Sequence, residues 1–325
     1  MSERRKVAIL DDYQGVALGS ADWSPVAARC DIETFREHIA DPDRLVKLLQ
    51  PFHVLVPMRE RTPLPRAVLE KLPNLKLIVT FGMRNAAIDV VAANERGITV
   101  TGTKTSPHGT AELTWALILA LSRRIVDGDR SMRQGGWQTE MAIELAGRTL
   151  GVLGLGRLGA KVAQIGKAMG MKVIAWSPNL TEERCAAAGV ALVSREDFFR
   201  QSDVVTIHMI LSERSRGLVG AKELGLMKPT AYLVNTSRGP IVDAPALLAA
   251  LTDKRIGGAG LDVYDVEPVP VGDPLRRLGN VVVSPHMGFV TVENYRGGYG
   301  ETVENIVAWL DGKPVRVIKP DSAAH

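Results

Sequence analysis

The chain contains little cysteine and no long apolar run. Cys30 and Cys185 are the only cysteines among 325 residues, and their separation fits neither a metal-binding nor a redox pair. We therefore expect two free, buried thiols and no metal site. The apolar run at residues 7–10 is too short for a signal-peptide core, and no stretch approaches the roughly 20 apolar residues of a membrane span. By elimination, these absences favour a cytoplasmic protein without a membrane partner.

The chain also has no large excess of charge of either sign. The 40 basic and 36 acidic residues leave a formal charge of +4, and the densest basic stretch is only residues 4–6. Nucleic acid is therefore a poor candidate partner, and small anionic ligands are preferred. The apolar fraction of 46% and charged fraction of 23% are typical of globular proteins, and the length favours two domains.

Short apolar runs alternate with helical patterns along the whole chain, which predicts an α/β fold of parallel sheets covered by helices. One series of runs ends near residue 102 and a second begins near residue 149, so we expect two doubly wound parallel-sheet domains. A single long apolar helix is predicted over residues 109–133, able to pack on its own domain or on a second subunit. The last helix, residues 292–310, precedes a short run at 315–318 that should return to the first domain.

The strongest motif is a glycine-rich turn between a predicted strand at 149–153 and a predicted helix. A strand, a tight glycine turn, a helix and a second strand at 172–176 form the unit that binds the pyrophosphate of a dinucleotide. The phosphates then lie on free N–H groups at the start of the helix. The predicted cofactor-binding residues of this turn are Gly154, Gly156, Arg157, Leu158 and Gly159.

The end of the second strand departs from the usual NAD pattern. An NAD site usually has Asp or Glu there to bind the ribose hydroxyls, whereas this chain has Ser177-Pro178-Asn179. No carboxylate repels a 2′-phosphate, and no arginine follows at once to attract one. The cofactor is therefore NAD or NADP, with Ser177 and Asn179 expected to contact it.

Three polar residues follow predicted strands of the second domain: Arg238, Glu267 and His286. An arginine can hold a substrate carboxylate and polarise a ketone, and a histidine can protonate the ketone oxygen near neutral pH. A carboxylate beside that histidine favours its protonated form. This set is what hydride transfer to a 2-keto acid requires.

With these motifs the sequence resembles the D-2-hydroxyacid dehydrogenase family from about residue 40 to 318. The resemblance rests on the glycine turn and on the segments at 235–239, 260–268 and 284–288. It implies that Arg238 binds substrate, that His286 and Glu267 form the acid/base pair, and that Asp262 holds the nicotinamide carboxamide. Thr236 is also expected to line the cofactor, and His208, which follows a predicted strand, is expected to be either structural or cofactor-lining.

The resemblance further implies a Rossmann cofactor domain, residues 104–291, inserted into a flavodoxin-like substrate domain made of residues 1–103 and 292–325. It implies a homodimer built largely on the helix at 109–133. Glu267 favours keto-acid chemistry, because the formate dehydrogenases of the family have glutamine at that place. The family also includes NAD(H)-binding corepressors, so a regulatory binding protein without significant turnover is the alternative.

The chain departs from the family in the first-domain loop that holds the substrate carboxylate. Arg84 stands where a second glycine is common, and Ala87 replaces the usual asparagine. Arg84 is either a surface residue or a contact for a second anionic group of the substrate, to which Arg59 and Arg61 could add. The predicted substrate-binding residues are Gly82, Met83, Arg84 and Arg59.

Overall fold

A computed structural model describes residues 4–320 of the chain. By contacts, the chain divides into two compact units, one made of residues 1–106 and 291–325 and the other of residues 107–290. The strands are β1 (Arg5–Ile9), β2 (Cys30–Thr34), β3 (Val54–Val56), β4 (Leu77–Thr80), β5 (Thr99–Gly102), β6 (Thr149–Leu153), β7 (Lys172–Trp176), β8 (Ala191–Leu192), β9 (Val204–Ile207), β10 (Tyr232–Asn235), β11 (Gly258–Leu261) and β12 (Val281–Val283).

The α-helices are α1 (Ser24–Ala27), α2 (Pro42–Leu49), α3 (Arg66–Leu69), α4 (Val90–Glu95), α5 (His108–Ser122), α6 (Ile125–Arg133), α7 (Arg157–Ala168), α8 (Glu182–Ala188), α9 (Arg195–Gln201), α10 (Ala221–Leu226), α11 (Ala244–Thr252) and α12 (Val292–Leu310). The helix that was predicted at 292–310 forms with these bounds as α12.

The first unit is built on a five-stranded parallel sheet in the order β2-β1-β3-β4-β5. Its inner strands β3 and β4 are buried along their whole length, as strands covered on both faces should be, whereas the edge strand β2 is mostly accessible. One face packs against α2, α3 and α4. Aromatic rings from α12 and the end of β4 (Tyr295, Tyr299 and Phe81) pack edge to face elsewhere in the unit.

The second unit is built on a seven-stranded parallel sheet in the order β12-β11-β10-β9-β6-β7-β8. Separate apolar clusters lie on its two faces, one with α9, α10 and α11 and the other with α5, α7 and α8. The predicted α/β class with two doubly wound parallel sheets is therefore confirmed. From β6 the chain adds β7 and β8 on one side of the sheet and then crosses to β9 on the other side. Sheets of this kind bind ligands at the carboxyl ends of the two strands where the order reverses, which here are β6 and β9.

The predicted single helix over residues 109–133 is wrong. It ends at Ser122, and α6 starts after Arg124, whose backbone is left-handed with φ of 54°. The apolar pattern ends there too: α5 buries Leu117 and Leu121 against its own sheet, whereas α6 has no buried residue. Arg124 pairs instead with Asp127 and Glu140.

The predicted return of the chain's tail to the first unit is confirmed. Val317 pairs antiparallel with Thr101 of β5, and the N–H of Ile318 donates to the carbonyl of Val100 (2.8 Å). Both cysteines are buried and free, also as predicted. No helix within residues 4–320 is long and apolar enough to cross a membrane.

Candidate active site

The glycine turn joins β6 to α7 and adopts the geometry that its residues predict. Gly154 has φ of +97°, and a Cβ there would lie 2.8 Å from the carbonyl oxygen of His208. A Cβ at Gly159 would lie 2.1 Å from the carbonyl oxygen of Gly154, so helix and strand pack at a distance that only glycine allows. Both positions therefore require glycine for backbone reasons.

Gly156 differs from its two neighbours. No described atom lies within 4 Å of a Cβ built there, so the space above this residue is open. Gly156 is also the N-cap of the twelve-residue α7, and no side chain caps the first N–H groups of that helix. Open space above uncapped amides at a helix N-terminus fits the pyrophosphate of a dinucleotide. Arg157 is exposed at the first position of α7, and Leu158 is partly buried beside it.

His208 follows β9 and adjoins this turn. Its N–H donates to the carbonyl of Leu153 (2.8 Å), and its Nε2 lies 2.9 Å from the Thr206 hydroxyl. Its Nδ1 is buried and has no hydrogen-bond partner among the described residues. Burial lowers the pKa of His208 to about 3, so the ring is neutral at physiological pH. An orphaned buried ring nitrogen beside the glycine turn also fits a bound cofactor.

At the carboxyl end of β7, Ser177 begins a tight turn. The N–H of Leu180 donates to the carbonyl of Ser177 (3.1 Å), and Asn179 at the tip is exposed. The carbonyl of Trp176 accepts from the N–H of Gly154 (3.0 Å), so this turn begins beside the glycine turn.

The predicted acid/base residues lie at the carboxyl edge of the same sheet, beyond β11 and β12. Nδ1 of His286 lies 2.5 Å from Oε2 of Glu267, and the other carboxylate oxygen accepts from the N–H of Tyr264 (2.9 Å). Both side chains are mostly buried, with exposed fractions of 18% and 27%. Nε2 of His286 makes no hydrogen bond within residues 4–320, and this nitrogen is available to a substrate.

The backbone of His286 is left-handed, with φ of 54°. Such a conformation costs a non-glycine residue about 1 kcal/mol or more and persists only where the surroundings hold it. Here Asp262 accepts from the N–H groups of Met287 (2.7 Å) and Gly288 (2.9 Å), and Thr110 donates to the carbonyl of Gly288 (3.0 Å). Phe289 packs edge-on against the imidazole.

Asp262 is thus a structural anchor as well as a predicted cofactor ligand. It is 1% exposed, and burial raises its pKa, while hydrogen bonds from Ser284, Met287 and Gly288 oppose the rise. Thr236, also predicted to line the cofactor, is buried and shares a hydrogen bond of 2.8 Å with the hydroxyl of Thr114.

Arg238 follows β10 on a loop that Asn235 fixes at two points. The Asn235 amide donates to the carbonyl of Arg238 (2.9 Å) and accepts from the N–H of Ser237 (3.0 Å). A Cβ at Gly239 would lie 2.1 Å from the carbonyl carbon of Tyr264, so the Arg238 loop touches the segment that leads to Glu267. The structure therefore brings the loops of Arg238, Glu267 and His286 together at one sheet edge.

Sequence reasoning missed Tyr264, which joins these loops. Its hydroxyl donates to the carbonyls of Leu261 and Ser284 (3.0 Å each), and burial raises its pKa above the usual range. The residue lies inside the motif that leads to Glu267, but a tyrosine there gives no distinctive signal.

The predicted substrate-binding residues of the first unit lie at the carboxyl edge of its own sheet. Asn85 ties two loops together, because its amide donates to the carbonyl of Arg59 (2.6 Å) and to the hydroxyl of Thr80 (2.8 Å). Arg59 has a left-handed backbone, with φ of 56°, and its guanidinium lies against Gly82. Met83 and Arg84 are exposed.

Arg61, which could add to an anion pocket, makes contacts within the first unit. Its guanidinium lies over the ring of Tyr13 (4.3 Å to the centroid) and donates to the carbonyl of Asp11 (3.0 Å). These contacts hold the Arg61 side chain against Asp11 and Tyr13 of the same unit.

Comparison with known proteins agrees with this geometry. Residues 115–288 match the family model of the D-isomer specific 2-hydroxyacid dehydrogenase NAD-binding domain. The chain is 42% identical over 256 residues to a glyoxylate reductase of Aeropyrum pernix, covering 76% of each protein. It is 38% identical over 280 residues to a D-3-phosphoglycerate dehydrogenase of Archaeoglobus fulgidus, covering 84% of this chain and 52% of that protein.

A solved structure of a putative D-3-phosphoglycerate dehydrogenase from Ralstonia solanacearum superposes with a TM-score of 0.92 at 34% identity, covering 98% of both chains. The resemblance inferred from the motifs is thereby confirmed. The chain belongs to the D-isomer specific 2-hydroxyacid dehydrogenase family and is an oxidoreductase that acts on a CH–OH group with a nicotinamide cofactor.

Proposed function

We propose that the protein reversibly reduces a small 2-keto acid to the D-2-hydroxy acid, with His286 and Glu267 as its acid/base pair and Arg238 as its substrate anchor. The observation that carries the proposal is the 2.5 Å contact between Nδ1 of His286 and Oε2 of Glu267. It leaves Nε2 of the same ring as the atom that exchanges a proton with substrate.

In the reducing direction, protonated His286 donates through Nδ1–H to Glu267 and through Nε2–H to the ketone oxygen. The guanidinium of Arg238 holds the substrate carboxylate and polarises the ketone, which favours the developing negative charge. When bound, a nicotinamide dinucleotide supplies the hydride. In the oxidising direction, neutral His286 accepts the hydroxyl proton at Nε2, and Glu267 stabilises the imidazolium that forms.

The dinucleotide is proposed to lie on Gly154, Gly156, Arg157, Leu158 and Gly159, with Ser177, Asn179, His208, Thr236 and Asp262 along its length. The uncapped N-terminus of α7 would hold the pyrophosphate. Both oxygens of Asp262 already accept backbone N–H groups, so a carboxamide would be bound by a remaining lone pair.

The two compact units support a division of labour. We propose that residues 104–291 form the cofactor domain and that residues 1–103 and 292–325 form the substrate domain. In the latter, Met83 would contact the substrate carboxylate through its backbone N–H beside Gly82, whose own N–H donates to the Thr103 hydroxyl (3.2 Å), and Arg59 and Arg84 would contact a second anionic group.

A homodimer is proposed on the segment that starts with α6. This nine-residue helix buries none of its residues, and large apolar side chains around it are exposed, among them Ile125 (58%), Met132 (56%) and Trp137 (71%). Such a patch is typical of a subunit interface. Sedimentation should show a dimer that Trp137→Ser weakens. Val271→Ser, at a residue that is 90% exposed elsewhere in the unit, should leave the dimer intact.

The direct test of the activity is loss of absorbance at 340 nm with NADH or NADPH on a panel of glyoxylate, hydroxypyruvate, pyruvate and phenylpyruvate. Turnover of at least one acid is expected, with the D-hydroxy acid as product. Tight binding of a dinucleotide without turnover of any acid would favour the regulatory binding protein instead.

A further inference from the structure

We infer that Arg184 forms, with Ser177 and Asn179, a subsite for the 2′-phosphate of NADP, and that the protein therefore prefers NADP(H) to NAD(H). The inference rests on the proposed dinucleotide site. The inference adds to that site a choice between NAD and NADP, which Ser177 alone left open.

The first observation is that the Arg184 side chain reaches from α8 back to the glycine turn. The residue is seven positions beyond Ser177, on the exposed side of α8. Its Nη2 nevertheless donates to the carbonyl of Leu155 (3.3 Å), inside the glycine turn. The guanidinium thus spans from α8 back to the turn on which the pyrophosphate is proposed to lie.

The second observation is the path of the chain between Ser177 and Arg184. The turn closed by Leu180 and Ser177 is followed at once by Thr181, whose hydroxyl accepts from the N–H of Arg184 (3.4 Å). Because Gly154 bonds to the last carbonyl of β7, the glycine turn and the start of this segment adjoin. Ser177 and Arg184 therefore approach the glycine turn from the two ends of one short segment.

The third observation is that the charge of Arg184 is not neutralised by the protein. Within residues 4–320 it makes no ion pair, whereas the nearby Arg195 pairs with Glu223 (3.0 Å). The neighbouring Glu183 is engaged elsewhere: a hydrogen bond from the Thr181 hydroxyl lowers its pKa. A guanidinium with most of its donors unused, next to a strand end without a carboxylate, is suited to a phosphate.

The chemistry of the strand end agrees with this assignment. A carboxylate at that place accepts hydrogen bonds from the ribose hydroxyls of NAD and repels a 2′-phosphate. The Ser177 hydroxyl and Asn179 amide can instead donate to phosphate oxygens, and Arg184 supplies the charge. The three side chains together therefore suit the negatively charged 2′-phosphate of NADP better than the two ribose hydroxyls of NAD.

The test uses ligands that lack the nicotinamide, so that binding is measured without turnover. The intact protein is titrated by calorimetry with 2′-phospho-ADP-ribose and with ADP-ribose. We expect the phosphorylated ligand to bind at least about tenfold more tightly, as loss or gain of a charge-assisted contact implies. Arg184→Ala should weaken only the phosphorylated ligand, by about 10- to 100-fold, and Arg184→Lys should weaken it less.

Arg200→Ala is the matched control, because it removes the same charge from an exposed site on α9, where Arg200 pairs with Glu196 (3.4 Å). It should change neither affinity by much. Ser177→Asp should reverse the preference by adding the missing carboxylate. Circular dichroism of each variant checks that the fold is kept.

The outcomes separate this inference from the function on which it rests. Equal binding of the two ligands by the wild-type protein, or tighter binding of ADP-ribose, would overturn the NADP preference and leave the dinucleotide site standing. An equal loss for both ligands in Arg184→Ala would overturn the role of Arg184. Binding of neither ligand would overturn the dinucleotide site itself, and this inference with it.

Discussion

The carboxyl edges of the two sheets differ in how their polar side chains are satisfied. At the edge of the seven-stranded sheet, polar groups are paired with one another: His286 with Glu267, and Asp262 with two backbone amides. At the edge of the five-stranded sheet Asn85 and Arg59 are paired as well, but Arg84 is exposed and makes no side-chain hydrogen bond or ion pair within residues 4–320. A paired edge holds atoms in fixed positions, as proton transfer requires, whereas an exposed cation can adapt to different substrates.

Both edges nevertheless contain residues with strained, left-handed backbones, and at the edge of the five-stranded sheet Asp11 (φ of 55°) is another. His286 and Arg59 have positive φ angles of 54° and 56°, and each is held by neighbours of its own unit. Around His286 the support comes from a buried carboxylate, and at Arg59 it comes from the Asn85 amide on its carbonyl. Strain of this kind is concentrated at functional sites. The contrast between the edges can be tested by substitution on each side.

The largest effect is expected from His286→Ala. Removing the group that gives and takes the proton should lower kcat by about 10²–10⁴, the usual range for general acid/base catalysis. Dinucleotide affinity should change little, because the proposed cofactor contacts lie elsewhere. Steady-state kinetics together with calorimetric titration would check both parts. A near-normal kcat would remove His286 from the mechanism and with it the interpretation of the paired edge as catalytic.

Glu267→Gln should lower kcat by about 10- to 100-fold. The amide keeps the shape of the side chain, but it replaces a charge-assisted hydrogen bond to Nδ1 with a neutral one, and so supports the imidazolium less. The measurement is kcat for the best keto acid of the panel. Glu182→Gln, on the exposed first turn of α8, is the matched control and should be neutral. Equal rates for Glu267→Gln and wild type would show that the pair is structural.

His208 tests a polar group at the edge of the seven-stranded sheet whose Nδ1 has no hydrogen-bond partner within residues 4–320. Burial lowers its pKa to about 3, below the unfolded value of 6.5, so its contribution to stability is present above pH 6.5 and is lost as the pH falls. Between pH 7.5 and 4.5 the wild type should lose about 2–3 kcal/mol in unfolding free energy from this group, and His208→Asn should not. Urea unfolding without cofactor at both pH values measures the difference. If His208→Asn lost as much unfolding free energy as the wild type, His208 would not be the cause of the loss. His108→Asn, at an exposed histidine, is the control and should lose as much unfolding free energy as the wild type.

Much of the fold was predictable because buried parallel strands are continuous apolar runs. β7 was predicted at its observed bounds, and the glycine turn and strand-end residues located the paired edge. The left-handed backbones at His286 and Arg59 were not predictable, because neither residue type signals that conformation. The break at Arg124 was also missed, since the apolar pattern of α5 continues close to it.

Contacts between residues distant in sequence were a second limit. Arg61 looks like part of an anion pocket, yet its guanidinium contacts Asp11 and Tyr13, about fifty positions away. Arg184 looks like an ordinary residue of an exposed helix, yet it reaches Leu155. The direction of a long cationic side chain depends on which acceptors the fold places beside it, and a single sequence does not contain that information.

The smallest effect is expected at the exposed edge. Arg84→Ala should raise KM for a dicarboxylate or phosphorylated keto acid by about 3- to 10-fold, in keeping with the modest energies of solvent-exposed ion pairs. KM for pyruvate, which has no second anionic group, should stay nearly constant. Raising the salt concentration should shrink the difference in the wild type, because exposed charges are screened.

Arg96→Ala provides the matched control for Arg84. Arg96 is an exposed arginine of the same unit, but it precedes β5 and so lies at the amino edge of the five-stranded sheet, away from the ligand edge. Its loss should leave both KM values unchanged. If Arg84→Ala raised KM equally for pyruvate and for the dicarboxylate, the arginine would act on the shared carboxylate or on the loop itself. Arg84 would then act on the same carboxylate as Met83 and Arg238, and substrate choice would have to come from Arg59, whose guanidinium lies over Gly82.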